Sequence, residues 1–239
     1  MDEDRVVKLI DKLQYFDYDK ILNKIRKTVQ KPSVLVTGGT GVGKSSLINR
    51  LFGMDAAPTG SGRSVTEHIA RYEPEHSDVI LYDTRGYETG EEKQDKFYKE
   101  VIGFVKEANQ QSDVTKHVHL TWYCISAANK RVVPADLTAV AALSGLTKVC
   151  IVLTQIDSAT VVELDEMKAA LAEKLPETKV FAVSLDPRIP EEMVQWETLI
   201  EWSVDQLDSG LQLAFAQALG QELRIKHLQA DQLIHRYVV

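Results

Sequence analysis

The stretch that most narrows what this chain can fold into is "VLVTGGTGVGKSSLINRLFG", residues 34 to 53. An apolar strand pattern runs into a glycine-rich loop and then into a helix pattern. Gly38, four residues, and then Gly43-Lys44-Ser45 have the spacing of a loop that cradles phosphate between a strand and a helix. The chemistry dictates the residue types. Glycines let the backbone curl so that its N–H groups and the helix N-terminus face an anion; Lys44 reaches the outer phosphates, and the Ser45 hydroxyl ligates Mg²⁺. The candidate cradle comprises Gly38, Thr40, Gly41, Val42, Gly43, Lys44, Ser45 and Ser46.

Strands and helices alternate around this loop. Strand patterns fall at "SVLVTG", "IARYEP", "VILYD", "HVHLTWYCIS", "KVCIVLT" and "KVFAVS", and helix patterns at 44–53, 92–109, 134–144 and 161–174, with a polar loop "DAAPTGSGRSVTEH" before the second strand. Such alternation implies an α/β fold with a mostly parallel, six-stranded sheet covered on both faces. Residues 5 to 30 carry Val6, Leu9, Ile10, Leu13, Phe16, Ile21, Leu22, Ile25 and Val29 at helical spacing until Pro32 stops the pattern. From Glu191 the chain turns helical again: Trp196, Leu199, Ile200 and Trp202 share one face, continued by Leu207, Leu211, Phe215, Leu219 and Leu223. Apolar residues at that spacing are usually buried, so the tryptophans read as core. The expected organisation is a helical segment at 1–31, an α/β domain at 32–190 and a helical extension at 191–239.

Composition excludes several classes. The 239 residues carry 28 Lys plus Arg against 35 Asp plus Glu, a net charge of -7, with no long basic block of the kind a nucleic-acid surface shows. No run approaches the roughly 18 apolar residues of a membrane span, and the acidic start "MDEDR" is no signal peptide. Cys124 and Cys150 both lie in apolar stretches and read as buried thiols in a reducing compartment. A cytoplasmic protein is expected.

Later segments carry further chemistry. In "VILYDTRGY", Asp83 ends an apolar strand, placed to hold a metal through water, and the Gly86 N–H of the DxxG pattern is placed to reach a γ-phosphate. Between this motif and the phosphate loop, Thr66 falls where a switch segment must lie, positioned to close over the nucleotide and ligate Mg²⁺. Lys44, Thr66 and Gly86 are the candidate catalytic groups; Ser45, Thr66 and Asp83 are the candidate metal ligands.

Over residues 33 to 186 the chain resembles the translation-factor-related P-loop GTPases, most closely the Era-like group and bacterial GTP-binding proteins that join such a domain to a C-terminal helical domain. That resemblance implies a three-layer GTPase domain that binds GTP or GDP with Mg²⁺. The family's fourth motif, Asn or Thr followed by Lys-x-Asp, is matched by Thr154, Gln155 and Asp157. The carboxylate of Asp157 accepts from the guanine ring N–H and amine, which adenine cannot offer. Gln155 replaces the lysine whose stem packs on the base; it keeps about half of that stem and loses the charge, so weaker affinity with guanine preference is expected. Ser184 and Leu185 match the fifth motif, which approaches the guanine carbonyl through a backbone N–H. The similar letters "SAANK", residues 126–130, precede Thr154 and follow the wrong strand, which leaves Asn129, Lys130 and Arg131 as solvated loop residues. Gly41 stands where potassium-activated relatives carry asparagine.

The resemblance implies a GTP-hydrolysing switch with slow intrinsic turnover, since Tyr87 occupies the place of a water-orienting glutamine. Arg85 acts either as an internal arginine finger or as a solvent-facing residue. Two other classes remain open: a P-loop ATPase, and a nucleotide-dependent interaction module with negligible hydrolysis. A protein effector, or self-association through the switch segments, is the expected partner beyond the nucleotide. The closing "LRIKHLQADQLIHRYVV" ends mid-pattern without a stop signal, so the native chain is expected to continue into a helical domain, where any membrane contact would lie. The six histidines show no metal-ligand spacing; His117 and His119 read as one side of a strand.

Overall fold

The computed structural model describes residues 31–52, 63–64, 69–73, 79–86 and 91–219. The expected N-terminal helix, Thr66, Tyr87 and Leu223 lie outside these residues. The chain forms strands β1 (Ser33–Gly38), β2 (Arg63–Ser64), β3 (Ile69–Tyr72), β4 (Ile80–Thr84), β5 (Leu120–Ser126), β6 (Lys148–Thr154) and β7 (Lys179–Ala182). Its helices are α1 (Lys44–Phe52), α2 (Glu91–Asn109), α3 (Pro134–Ser144), α4 (Val161–Lys174), α5 (Trp196–Asp205) and α6 (Ser209–Ala218). The strands make one sheet in the order β2-β3-β4-β1-β5-β6-β7. From β4 to β7 every neighbour is parallel, while β3 runs antiparallel to β4 and β2 antiparallel to β3. All six expected strands are present. The seventh is the two-residue β2, a piece of the polar loop that pairs with the free edge of β3.

Local sequence explains where the elements start. Pro134 opens α3 at a position where its missing N–H is no loss. Thr160 and Glu163 form a reciprocal capping box at α4. The strand expected from His117 begins only at Leu120, because Asp113 caps a short turn at Val114–Lys116. His117 and His119 therefore precede the strand, and His119 Nδ1 accepts from the Ser33 backbone N–H at 3.1 Å.

Alternating side chains divide the core into two layers. Trp122 and Cys124 of β5 join Val34, Val36 and Val152 beneath α1, α5 and α6; Tyr123 and Ile125 join Leu35, Ile151 and Leu153 beneath α2, α3 and α4. Trp122 is fully buried and anchors the first layer. Its ring stacks on Phe52 at 6.0 Å and meets Phe215 edge-on at 6.3 Å, while Nε1 donates to Ser203 Oγ at 3.1 Å. Helices α5 and α6 thus rest on the same core as the sheet. In the second layer the Tyr123 hydroxyl donates to Asp136 Oδ1 at 2.7 Å, so that buried carboxylate is hydrogen-bonded. Among the described residues, no helix is long and apolar enough to cross a membrane. The parallel strands β1, β4, β5, β6 and β7 end on one edge of the sheet, where a fold of this kind binds ligands.

Candidate nucleotide site

The loop after β1 adopts backbone that side chains disfavour. Gly38, Gly41 and Gly43 have φ of 135°, 75° and 88°. At Gly38 a Cβ would stand 2.2 Å from the Cys124 carbonyl oxygen, so the neighbouring strand itself demands glycine there. The loop then enters α1, whose first turn is closed by Leu47 N–H donating to Gly43 O at 2.9 Å. Lys44 is buried and folds back over the loop, its Nζ donating to the carbonyls of Gly39 at 2.7 Å and Gly38 at 3.2 Å. Burial holds its ammonium below the ordinary lysine range. The adjacent Cys124 thiol, pushed up to about 12 by its own burial, is neutral, so Asp83 is the charge that opposes this shift.

Asp83 is the next-to-last residue of β4 and lies beside Ser45, whose hydroxyl donates to Asp83 Oδ2 at 3.2 Å. Among the described residues its other oxygen, Oδ1, is buried without a hydrogen-bond partner. Desolvation pushes this carboxyl above its ordinary range, against the pull of Lys44, Ser45 and the Thr84 backbone. A buried carboxylate oxygen with no donor suits a cation, and a serine hydroxyl with a carboxylate is an all-oxygen set of the kind Mg²⁺ prefers. These two side chains fit the expected metal; Thr66, the third candidate, lies outside the described residues.

Gly86 has φ of 82° and lies against the phosphate loop, where a Cβ would come within 2.7 Å of Thr40 N. Arg85 beside it is exposed, which matches the solvent-facing alternative.

At the other end, the fourth motif is stitched to the phosphate loop. Thr154 Oγ1 donates to Val42 O at 2.5 Å, and Gln155 Nε2 donates to Gly41 O at 3.3 Å. Gln155 Oε1 also accepts from the Ser126 hydroxyl. Gln155 adopts the left-handed conformation, φ 54° and ψ 39°, which turns the chain into the short helix carrying Asp157. Asp157 Oδ1 accepts from the Ser184 hydroxyl, which in turn accepts from Asp186 N–H at 3.0 Å. The loop is held further by Arg188 on Asp186, which keeps that carboxyl down at about 2. Gly43, Ser46, Gln155, Asp157, Ser184 and Leu185 line a cavity of about 200 Å³. That is below the roughly 300–1,000 Å³ of a whole-ligand pocket, and so suits one part of a ligand.

The structure brings together every described candidate: the phosphate loop, Asp83 and Gly86 at one end, and Thr154, Gln155, Asp157, Ser184 and Leu185 at the other. Among the contributors that escaped the sequence reading are Ser126 and Trp196. Ser126 belongs to the stretch set aside on chain order, yet it pairs in register with Thr154 across β5 and β6. A usable signal existed, since Ser126 ends an apolar strand just as Thr154 does. Trp196, expected in the core, is only half-buried and lines the cavity. Asn129 and Lys130 of "SAANK" and the following Arg131 behave as expected: all three are exposed, and Lys130 pairs with Glu163 at 2.9 Å.

A phosphate loop, a metal-facing carboxylate and a Thr-x-x-Asp loop at the ends of parallel strands define a P-loop GTPase domain, the class that binds GTP and hydrolyses it with Mg²⁺. Residues 33–155, just over half of the chain, match the family described as 50S ribosome-binding GTPase, and the chain belongs to that family. It is similar to Septin-2 of Rattus norvegicus, 26% identical over 193 residues that cover 70% of this chain and 53% of the relative. Neuronal-specific septin-3 of Mus musculus is 22% identical over 260 residues, covering 93% of this chain and 73% of the relative. The chain thus spans about half the length of the first of these relatives. The crystal structure of a probable GTP-binding protein engB superposes with a TM-score of 0.52 at 19% identity, covering 73% of this chain and 97% of that one, a likeness of fold.

Proposed function

We propose that this protein is a slow GTP-hydrolysing switch whose segments near Thr66 and Gly86 respond to the γ-phosphate. The observation that carries the reading is the buried, donor-free Oδ1 of Asp83 beside Ser45 and Lys44. Lys44, now bonded to the loop's own carbonyls, swings to phosphate oxygens when nucleotide enters; Ser45 and Asp83 would hold Mg²⁺, which would supply positive charge against that developing on the phosphate oxygens. Gly86, already against Thr40, presents its N–H from the loop's edge, and Asp157, braced by Ser184, selects guanine. The C-terminal helical domain and Era-like subclass, a cytoplasmic location with peripheral membrane contact, and an effector or second copy bound through the switch segments belong to the same reading. They rest on the resemblance.

The test is parallel binding of GDP and ADP, with single-turnover hydrolysis of GTP and ATP on one preparation. Preference for GDP, GTP turnover below about 1 per minute and its loss in Lys44→Ala are expected. Equal affinity for ADP, or hydrolysis untouched by Lys44→Ala, refutes the reading.

A further inference from the structure

Among the described residues, Trp196 supplies the one aromatic ring in the lining of the 200 Å³ cavity, beside Gln155, Asp157 and Leu185. Its position is not left to helix packing alone. The preceding Gln195 grips the last residue of β7 twice: its backbone N–H donates to Ala182 O at 2.8 Å, and its side-chain Oε1 accepts from Ala182 N–H at 2.9 Å. Ala182 lies two residues before Ser184, so the strand end that braces Asp157 also sets the start of α5. Trp196 is half-buried while Leu199 and Ile200 of the same helix are fully buried, so its ring combines core contact with an exposed portion at the cavity.

The polar lining explains how a base edge is read but offers little area to its face. Gln155 has a two-carbon stem whose amide is engaged with Ser126 and Gly41. A planar heterocycle gains most from an aromatic surface, and such stacking is indifferent to which base is present. Resting on the guanine-nucleotide reading of this pocket, we infer that Trp196 is the stacking wall for the base, and that through Gln195 it ties α5 to pocket occupancy. Base identity stays with Asp157; Trp196 contributes affinity.

The experiment uses the whole chain and 2′/3′-N-methylanthraniloyl-GDP, following binding by calorimetry and by energy transfer from tryptophan. The parent is expected to bind and to show transfer. Trp196→Phe is expected to hold affinity within about threefold while losing the share of transfer that Trp196 supplies, the largest among the three tryptophans, whereas Trp202→Phe keeps affinity and loses less transfer. Trp196→Ala is expected to bind about tenfold more weakly, the order of one lost base stack. The Phe variant retains an aromatic ring on the core, so it reports even if the alanine variant does not fold. Unchanged transfer in Trp196→Phe, or affinity within twofold in a folded Trp196→Ala, overturns the inference alone. A parent that does not bind the guanine nucleotide overturns the pocket's functional reading as well.

Discussion

Replacing Gly86 by alanine separates two jobs that the phosphate loop shares. An alanine Cβ at this position would lie 2.7 Å from Thr40 N and 2.8 Å from both the carbonyl carbon and oxygen of Gly39. All three are backbone atoms, so no rotamer change relieves the clash. Ordinary carbon contacts begin near about 3.5 Å, which leaves a shortfall of roughly 0.8 Å. The φ of 82° adds about 1–2 kcal/mol for any residue with a Cβ. The chain at Gly86 must therefore withdraw by close to an ångström, whereas an N–H···O bond tolerates only about half of that across its normal range. The Gly86 N–H then misses the γ-phosphate while the loop that holds the diphosphate is intact. A lost donor to developing phosphoryl charge is worth about 10²-fold in rate by analogy with an oxyanion-hole donor. Single-turnover hydrolysis of saturating GTP should fall by about that factor in Gly86→Ala, with GDP affinity within roughly threefold by titration. A variant that hydrolyses GTP within twofold of the parent would refute the close approach as a functional contact. A collapse of GDP affinity would show instead that Gly86 shapes the phosphate loop itself.

Four further outcomes are expected. Gln155→Lys should tighten GDP binding by roughly fivefold, because a charged donor to Gly41 O replaces a neutral amide; unchanged calorimetric affinity would remove Gln155 from the base pocket. Asp157→Asn should move preference from guanosine to xanthosine diphosphate, since the new amide keeps an oxygen for the Ser184 hydroxyl and turns its NH₂ to the base; competition titrations read the ratio, and a retained guanosine preference rejects the role. Arg85→Ala should change turnover by less than about tenfold, because Arg85 is exposed; an abolished rate would make it an internal finger. Asp83→Asn should gain stability relative to the parent as pH rises: the raised folded pKa means the native state holds a proton that the unfolded state has released, so the parent's advantage is present below the ordinary value of 3.8 and lost through the raised one. Urea unfolding without nucleotide at pH 4 and pH 7 measures this, and a difference that shrinks with pH reverses the assignment.

Much of this site was legible because its parts are local. The phosphate loop needs glycines at fixed offsets, and the structure shows why at Gly38, where the neighbouring strand's carbonyl leaves no room for a side chain. Asp83, Thr154 and Ser184 could be placed because each sits at or just beyond the end of an apolar strand, and parallel strands end on one edge. What depended on pairing between distant segments was not legible. Chain order correctly demoted "SAANK" as the fifth motif, yet chain order says nothing about which strand lies beside which. The β5–β6 register sets Ser126 next to Thr154, so a residue excluded from base reading still braces the loop that performs it. Trp196 shows the same limit on a helix. Its spacing with Leu199 and Ile200 predicts an inward face, which is correct, but spacing cannot tell where that face runs out. The double grip of Gln195 on Ala182, together with helix packing, sets the first residue of α5 at the cavity rather than in the middle of the core. Gln155, the apparent departure from the family motif, is resolved by the same logic: its side chain is matched to Gly41 and Ser126, two partners more than twenty residues away in sequence. Its fitness is a property of the assembled edge rather than of the motif.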